Sequence, residues 1–256
     1  MAGEDEKSYA GRWVARLRGR VIAHGGTPEQ TRRAAQSRYK ETPEIIFMPN
    51  NFPLNFPLIL DSVRAAFPDG LTVYLVGGAV RDALIGRNIH DLDFAMEREG
   101  IKTARRVANV LNADFYPLDA ERDTGRVIVT NEDGNRTVMD FAAFRGTDLE
   151  ADIRGRDFTL NAIAFNLSDN TIHDPLGGAM DLKEKRLRAC CPSAFIDDPV
   201  RILRGIRLAA NFGFSILPET RKAMKEAASL LGSVSAERVR DELFRILDGS
   251  QPATCI

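Results

Sequence analysis

Asp91 and Asp93, two carboxylates two positions apart in the segment HDLDFAM, are the residues here best placed to do chemistry. In an extended strand, positions i and i+2 project from one face with Cα atoms about 6 to 7 Å apart, so both acids can converge on cations. Two Mg²⁺ ions about 3.5 to 4 Å apart would suit in-line displacement at phosphorus, one activating an attacking hydroxyl and one steadying the leaving pyrophosphate. Like charges on one strand face repel, which favours a cation between them; a solvent-exposed strand edge is the alternative. A third acid, Asp140, lies in the apolar segment RTVMDFAAF, with Val138 as its same-face neighbour. A carboxylate there needs a partner, either a metal shared with Asp91 and Asp93 or an ordinary ion pair. Asp114, Asp119 and Asp123 fall in expected loops and look merely polar.

The acids follow LVGGAVRDALIG, an apolar strand running into Gly77 and Gly78 with a helix directly after. Missing side chains at such a turn let backbone N–H groups approach a phosphate closely, although a plain tight turn has the same pattern. Arg81, on the first turn of the helix, can offer its fork to a triphosphate or pair with Asp82.

Other elements must hold these groups in place. Residues 58–148 alternate helical and strand patterns with short connections, which argues an α/β or α+β layer fold with a mixed sheet. A helical RGRDFTLNAIAF, a hairpin through TIHDPLGG and the short element KRLRAC are expected next. From Pro199 to Leu247 the pattern is almost wholly helical, interrupted near Gly213 and Gly232. Ahead of all this, RWVARLRG, RVIAHGG, a polar helix after Thr27 and EIIFMP predict a small β-β-α-β module over residues 1–49. MPNNFPLNFP, with three prolines in ten residues, marks a linker at 50–57. The expected units are therefore the N-terminal module, the linker, a sheet-bearing head at 58–192 and a helical unit at 193–256.

The chain has 256 residues, 44% apolar and 28% charged, enough for one good core and a second small one. No run approaches the roughly 18 apolar residues of a membrane span, and charges interrupt the first 30 positions, so a cytoplasmic setting without membrane contact is expected. Three cysteines, two of them the adjacent Cys190 and Cys191, make neither a disulfide framework nor a metal-ligand spacing. A net charge of −1 gives no global sign of nucleic acid. Any such surface is local: Lys183, Lys185, Arg186 and Arg188, or Arg201, Arg204 and Arg207, each equally explained as a solvated face.

GGAVRDALIG followed by DLD resembles the opening motif of the class II tRNA nucleotidyltransferases, the CCA-adding enzymes and related bacterial poly(A) polymerases. GRDFTLNAIAF, IHDPLGGAMDL, DDPVRILRGIRLAANFGF and SAERVRDEL resemble the family's later motifs in the same order, across residues 75 to 243. The resemblance implies a polymerase-β-like head, an all-helical neck and nucleotide choice by side chains. The implied base-reading pair is Asp198 and Arg201. A carboxylate accepting from an exocyclic amine and a guanidinium donating to a ring nitrogen would take C and A and reject U and G. The alternative places Asp198 as a helix cap before Pro199 and Arg201 as its i,i+3 ion pair.

By the same resemblance Arg156, Asp157 and Asn161 lie near the sugar and phosphates, and Arg204 and Arg207 meet triphosphate or RNA backbone. Helix capping and surface polarity are their alternatives. Departures are Gly155 where the family has arginine, Asp197-Asp198 for Glu-Asp, and Gly205 for an alanine that would favour helix by about 1 kcal/mol. The family's helical body and tail would lie beyond Ile256, so this chain is expected to be a fragment or a short form. The implied activity is addition of CMP or AMP from CTP and ATP to an RNA 3′ end, tRNA foremost, with two Mg²⁺ ions. Poly(A) addition is the rival, and an idle head that only binds nucleotide or a partner is a rival of another class.

Overall fold

Strand-forming alternation at the N-terminus gives β1 (Arg12–Leu17) and β2 (Arg20–Gly25), closed by a two-residue turn at Arg18 and Gly19, both at positive φ. Such left-handed pairs match the twist of a tight hairpin. The computed structural model describes residues 9–49, 54–131 and 133–249. Residues 1–8 of the expected N-terminal module, 50–53 of the expected linker and 250–256 of the expected neck lie outside the described residues.

Helix α1 (Pro28–Gln36) starts at Thr27, whose side chain accepts from the Gln30 N–H, and it has proline at its first turn. It leads to β3 (Glu44–Met48). Then come α2 (Ile59–Ala65), β4 (Val73–Val76), α3 (Gly78–Leu84), β5 (Asp91–Met96) and α4 (Gly100–Leu111). Next are β6 (Asp114–Asp119), β7 (Thr124–Thr130), β8 (Arg136–Ala143) and α5 (Leu149–Arg154). The chain continues through β9 (Ala164–Asn166), β10 (Ile172–His173), α6 (Gly178–Lys183), β11 (Arg186–Leu187) and α7 (Ala194–Asp197). It ends in α8 (Arg201–Phe212), β12 (Ser215–Ile216), α9 (Pro218–Glu226) and α10 (Ala236–Leu247).

Ten strands form one mixed sheet in the order β2-β1-β3-β10-β9-β4-β5-β8-β7-β6. Among the described residues the only parallel pair in that sheet is β5 with β8; the other neighbours run antiparallel. The β-β-α-β segment is thus joined to the rest by hydrogen bonds, with Phe47 opposite Ile172 and Ile46 opposite His173. Trp13, Ala35 and Ile45 share a hydrophobic cluster with Leu75, Phe94 and Phe141, and the Trp13 indole donates to the Asp174 carbonyl at 3.0 Å. Arg32 on α1 reaches Glu150 on α5 at 3.3 Å. No helix among the described residues is long and apolar enough to cross a membrane.

Several local expectations are corrected. The stretch expected to be helical at 154–165 is a short 3₁₀ turn, Thr159–Asn161, followed by buried strand β9. A short fully apolar run fits a buried strand as well as a helix, and pairing with β4 and β10 decides it. Asp114 and Asp119 lie in edge strand β6 rather than in loops, and Pro117 is tolerated there because an edge strand can forgo a donor. Asp123 accepts from the Gly100 and Ile101 N–H groups at 2.8 and 2.9 Å and so caps α4. Helix α8 begins at Arg201 with Val200 at its cap and no side-chain cap bond, so Asp198 does not cap it. The helical C-terminal part contains one two-residue strand, β12, parallel to β11.

Candidate active site

Register alone assembles the acidic centre. Val76 on β4 lies opposite Asp93, Asp93 opposite Asp140, Asp140 opposite Arg126 and Arg126 opposite Tyr116, so these five form one row across the sheet. Asp91 lies one pleat along on the same face, beside Val138. Burial and the neighbouring Asp140 and Asp91 push the Asp93 carboxyl up to about 6, against the pull of Arg156 and Arg204. Asp140 is held by Arg126 through two parallel bonds, Nε and Nη2 each 2.8 Å from a carboxylate oxygen. Of the two alternatives for Asp140, the structure shows the ion pair.

Gly77 brings the turn against this row. Its φ of 72° is left-handed, and a Cβ there would stand 2.9 Å from Asp93 Oδ2, so both backbone and space demand glycine. Helix α3 starts at Gly78 and carries Arg81, whose guanidinium bonds both Asp82 oxygens at 2.8 to 2.9 Å and the Asn161 carbonyl oxygen at 2.7 Å. It also lies over the Phe212 ring at 4.7 Å, with Arg87 over the same ring at 4.5 Å.

From Asn161 a polar network crosses to the helices. The Asn161 amide donates to Asp157, and Asp157, nearly fully buried, also accepts from the Phe158 N–H and from Arg204 at 3.1 Å. Burial pushes the Asp157 carboxyl up, but Arg204 and these donors outweigh it and hold it below the usual range. Arg204 and Arg207 both face Glu242 on α10, at 3.6 and 2.8 Å, and Arg245 joins at 3.2 Å. Arg156 is paired with Asp152 at 2.7 Å. Asp152 also accepts from the Arg145 N–H, while burial and then the nearby Arg156 lower the pKa of Arg145. An anion beside these two guanidiniums would relieve both effects.

Arg201 is buried. It donates to the carbonyls of Arg156 and Ala194 through Nη1 and to Gly155 through Nη2, with Asp198 4.0 Å from Nε. One Nη2 hydrogen stays uncommitted. Asp198 Oδ2 accepts from Arg238 at 2.8 Å, and its other oxygen, Oδ1, is buried with no hydrogen-bond partner among the described residues. The departure at Gly205 also has a cause: a Cβ there would stand 2.7 Å from the Phe158 ring.

Apart from Arg126 and Glu242, the charged groups named above border one open cleft of about 1700 Å³ between the sheet face and α8. The structure places Gly77, Gly78, Arg81, Asp91, Asp93, Asp140, Arg156, Asp157, Asn161, Asp198, Arg201, Arg204 and Arg207 on its walls. Among the described residues that line it, ten are arginines and ten are Asp or Glu, so the cleft carries dense charge of both signs in equal number. The cluster Lys183, Lys185, Arg186 and Arg188 is not on its walls; Arg188 instead pairs with the buried Asp181 at 2.8 Å. Sequence reasoning missed Arg126, Arg145, Phe212, Arg238 and Glu242. SAERVRDEL, which holds Arg238 and Glu242, and DDPVRILRGIRLAANFGF, which holds Phe212, could have pointed to three of them.

Among the described residues no group of three or more His, Cys, Asp and Glu side chains is arranged as it stands to hold a metal ion; Arg126 occupies both oxygens of Asp140. Asp91 and Asp93 nevertheless fit a divalent cation, since the burial and repulsion that disfavour the Asp93 charge are what a cation would offset.

Two domain families match the sequence: the poly A polymerase head domain over residues 73–188, and the probable RNA and SrmB-binding site of polymerase A over 213–256. A CC-adding tRNA nucleotidyltransferase of Geobacter sulfurreducens is 42% identical over 179 residues, 70% of this chain and 41% of that protein. A second CC-adding tRNA nucleotidyltransferase, from Synechocystis, is 42% identical over 69% of this chain and 41% of its own length. Among solved structures, the Thermotoga maritima CCA-adding enzyme complexed with tRNA-CCA superposes with a TM-score of 0.69 at 32% identity, covering 79% of this chain and 50% of that one. The chain spans about two-fifths of the length of these curated relatives. With the head-domain match lying over the glycine turn and the acidic row, the chain belongs to the family of tRNA nucleotidyltransferases and poly(A) polymerases.

Proposed function

We infer that this chain transfers CMP or AMP from CTP or ATP to an RNA 3′ end, with tRNA as the acceptor. The observation that carries this reading is the cleft itself: Asp91, Asp93 and Asp140 on one wall, and the unpaired Asp198 oxygen beside Arg201 on the other. Two Mg²⁺ ions on Asp91, Asp93 and Asp140 would supply charge neutralisation at phosphorus and acidify the attacking hydroxyl. The backbone N–H groups after Gly77, with Arg81, Arg145 and Arg156, bind and orient the triphosphate. Asn161 and Asp157 fix the rotamers of Arg81 and Arg204, which keeps the phosphate wall in shape. Asp198 Oδ1 accepts the exocyclic amine of C or A, and Arg201 donates its uncommitted hydrogen to the ring acceptor; U and G, with a carbonyl where the amine would be, leave Oδ1 buried and unsatisfied. Arg207 and Arg238 extend the basic wall toward the RNA backbone. We divide the chain accordingly into a head at 58–192 and a neck at 193–256, and place its activity in the cytoplasm.

The test is incorporation of each of the four nucleotides into tRNA lacking its 3′ end. Incorporation of C and A with rejection of U and G is expected, and Asp91→Ala should remove it while leaving the fold intact; a fully active Asp91→Ala protein would sink the reading. A narrower version, addition of CMP only, is favoured by the two CC-adding relatives. In the same assay it gives two additions and no A.

A further inference from the structure

Asp140 stands between two neighbours of opposite character: Asp93 on one side in the parallel pair, Arg126 on the other in the antiparallel pair. Arg126 fills both oxygens of Asp140, as a bidentate fork does for an isolated carboxylate. Its cationic form is favoured first by that bond and then by the charges of Asp140, Asp91 and Asp93, so it serves the whole acidic set. The side chain is more than a third exposed, and its contact with Asp140 is the one ion pair it makes among the described residues. It has room to swing away.

We propose that Arg126 is a resident counter-cation, a latch that occupies Asp140 until a divalent ion displaces it, so that the site resists bare cation. This rests on the reading of Asp91, Asp93 and Asp140 as metal-binding residues. With the fork on Asp140, an incoming ion meets Asp91 and Asp93 but must break two charge-assisted bonds to gain the third carboxylate. A positive charge alongside also opposes the ion directly. An ion that arrives with a polyphosphate meets a weaker barrier, because the phosphate oxygens give the released guanidinium a new partner. The latch therefore makes the acidic row answer to cation and nucleotide together.

The test titrates Mn²⁺ into the 256-residue chain without nucleotide, with free ion measured from its electron paramagnetic resonance signal. Arg126→Gln should bind at least roughly tenfold more tightly than the parent, with Arg126→Lys, which keeps the charge but loses the fork, in between. Adding Asp140→Asn to Arg126→Gln should erase the gain. Unchanged or weaker binding by Arg126→Gln overturns the latch, as does a gain that survives Asp140→Asn. If the parent and Arg126→Gln both bind no Mn²⁺ at millimolar concentration, the metal-site reading falls and the latch with it. Arg126→Lys that binds like the parent shows that charge alone opposes the ion, and this too overturns the latch.

Discussion

Asp93 is placed against its own interest. It is half-buried, flanked by Asp91 and Asp140 and pressed by the glycine turn, and its carboxyl is pushed up to about 6. In chelator, with no cation to offset this, the folded state holds that proton more tightly than the unfolded chain does. Stability is thus unaffected below the ordinary carboxylate range, falls as pH rises from about 4 to about 6, and stays lower beyond. The loss at neutral pH is about 3 kcal/mol. Asp93→Asn should remove it: in chelator the variant should melt higher than the parent at pH 7 and match it at pH 3.5, while losing nucleotide incorporation. A variant less stable at pH 7 would show that repulsion does not dominate there. Base choice belongs to this scale as well. Asp198→Ala removes the buried Oδ1, so UTP and GTP should begin to be incorporated alongside CTP and ATP; unchanged rejection would refute its base-reading role.

At the scale of elements, helix ends and strand registers do the positioning. Helix α4 starts at Glu99 in a left-handed conformation with no cap of its own, and Asp123, from the turn before β7, supplies both missing acceptors. Asp123→Ala should therefore cost about 1–2 kcal/mol, a drop of roughly 2–8 °C for a chain of this size, with faster hydrogen exchange in the first turn of α4. An unchanged melting temperature would mean that water replaces the cap. These elements also show how far the sequence could be read. Gly77, Asp91 and Asp93 were legible because strand alternation and a glycine turn are local patterns. Arg126 was not, since it reaches Asp140 only through the β7–β8 register. Glu242 lies in the SAERVRDEL stretch, but only the packing of α10 on α8 turns it into the partner of three arginines. The short β9 misled for a different reason: its apolar run carries no period, and its neighbours in the sheet decide its conformation.

At the scale of the molecule, the N-terminal segment and the head share both a sheet and a core. Trp13 is 1% exposed, packs on Phe47 at 4.7 Å and bonds to the Asp174 carbonyl across the junction. Trp13→Ala should cost about 3–5 kcal/mol, and unfolding of the parent should be a single transition seen alike by Trp13 fluorescence and by circular dichroism. Two separated transitions would mean that the segment folds independently. Its identity as a β-β-α-β unit was legible from alternation; its attachment was not, because the β3–β10 pairing joins residues far apart in the chain.

That pairing sets an order of events during synthesis. Phe47 leaves the ribosome 125 positions before its partner Ile172, an interval of about 6 to 25 seconds at ordinary elongation rates. Throughout it β3 has an open edge, and Trp13 lacks the carbonyl that takes its indole proton. The first strands made are therefore among the last to be secured, and the glycine turn and acidic row can be in register before the sheet closes over its N-terminal end.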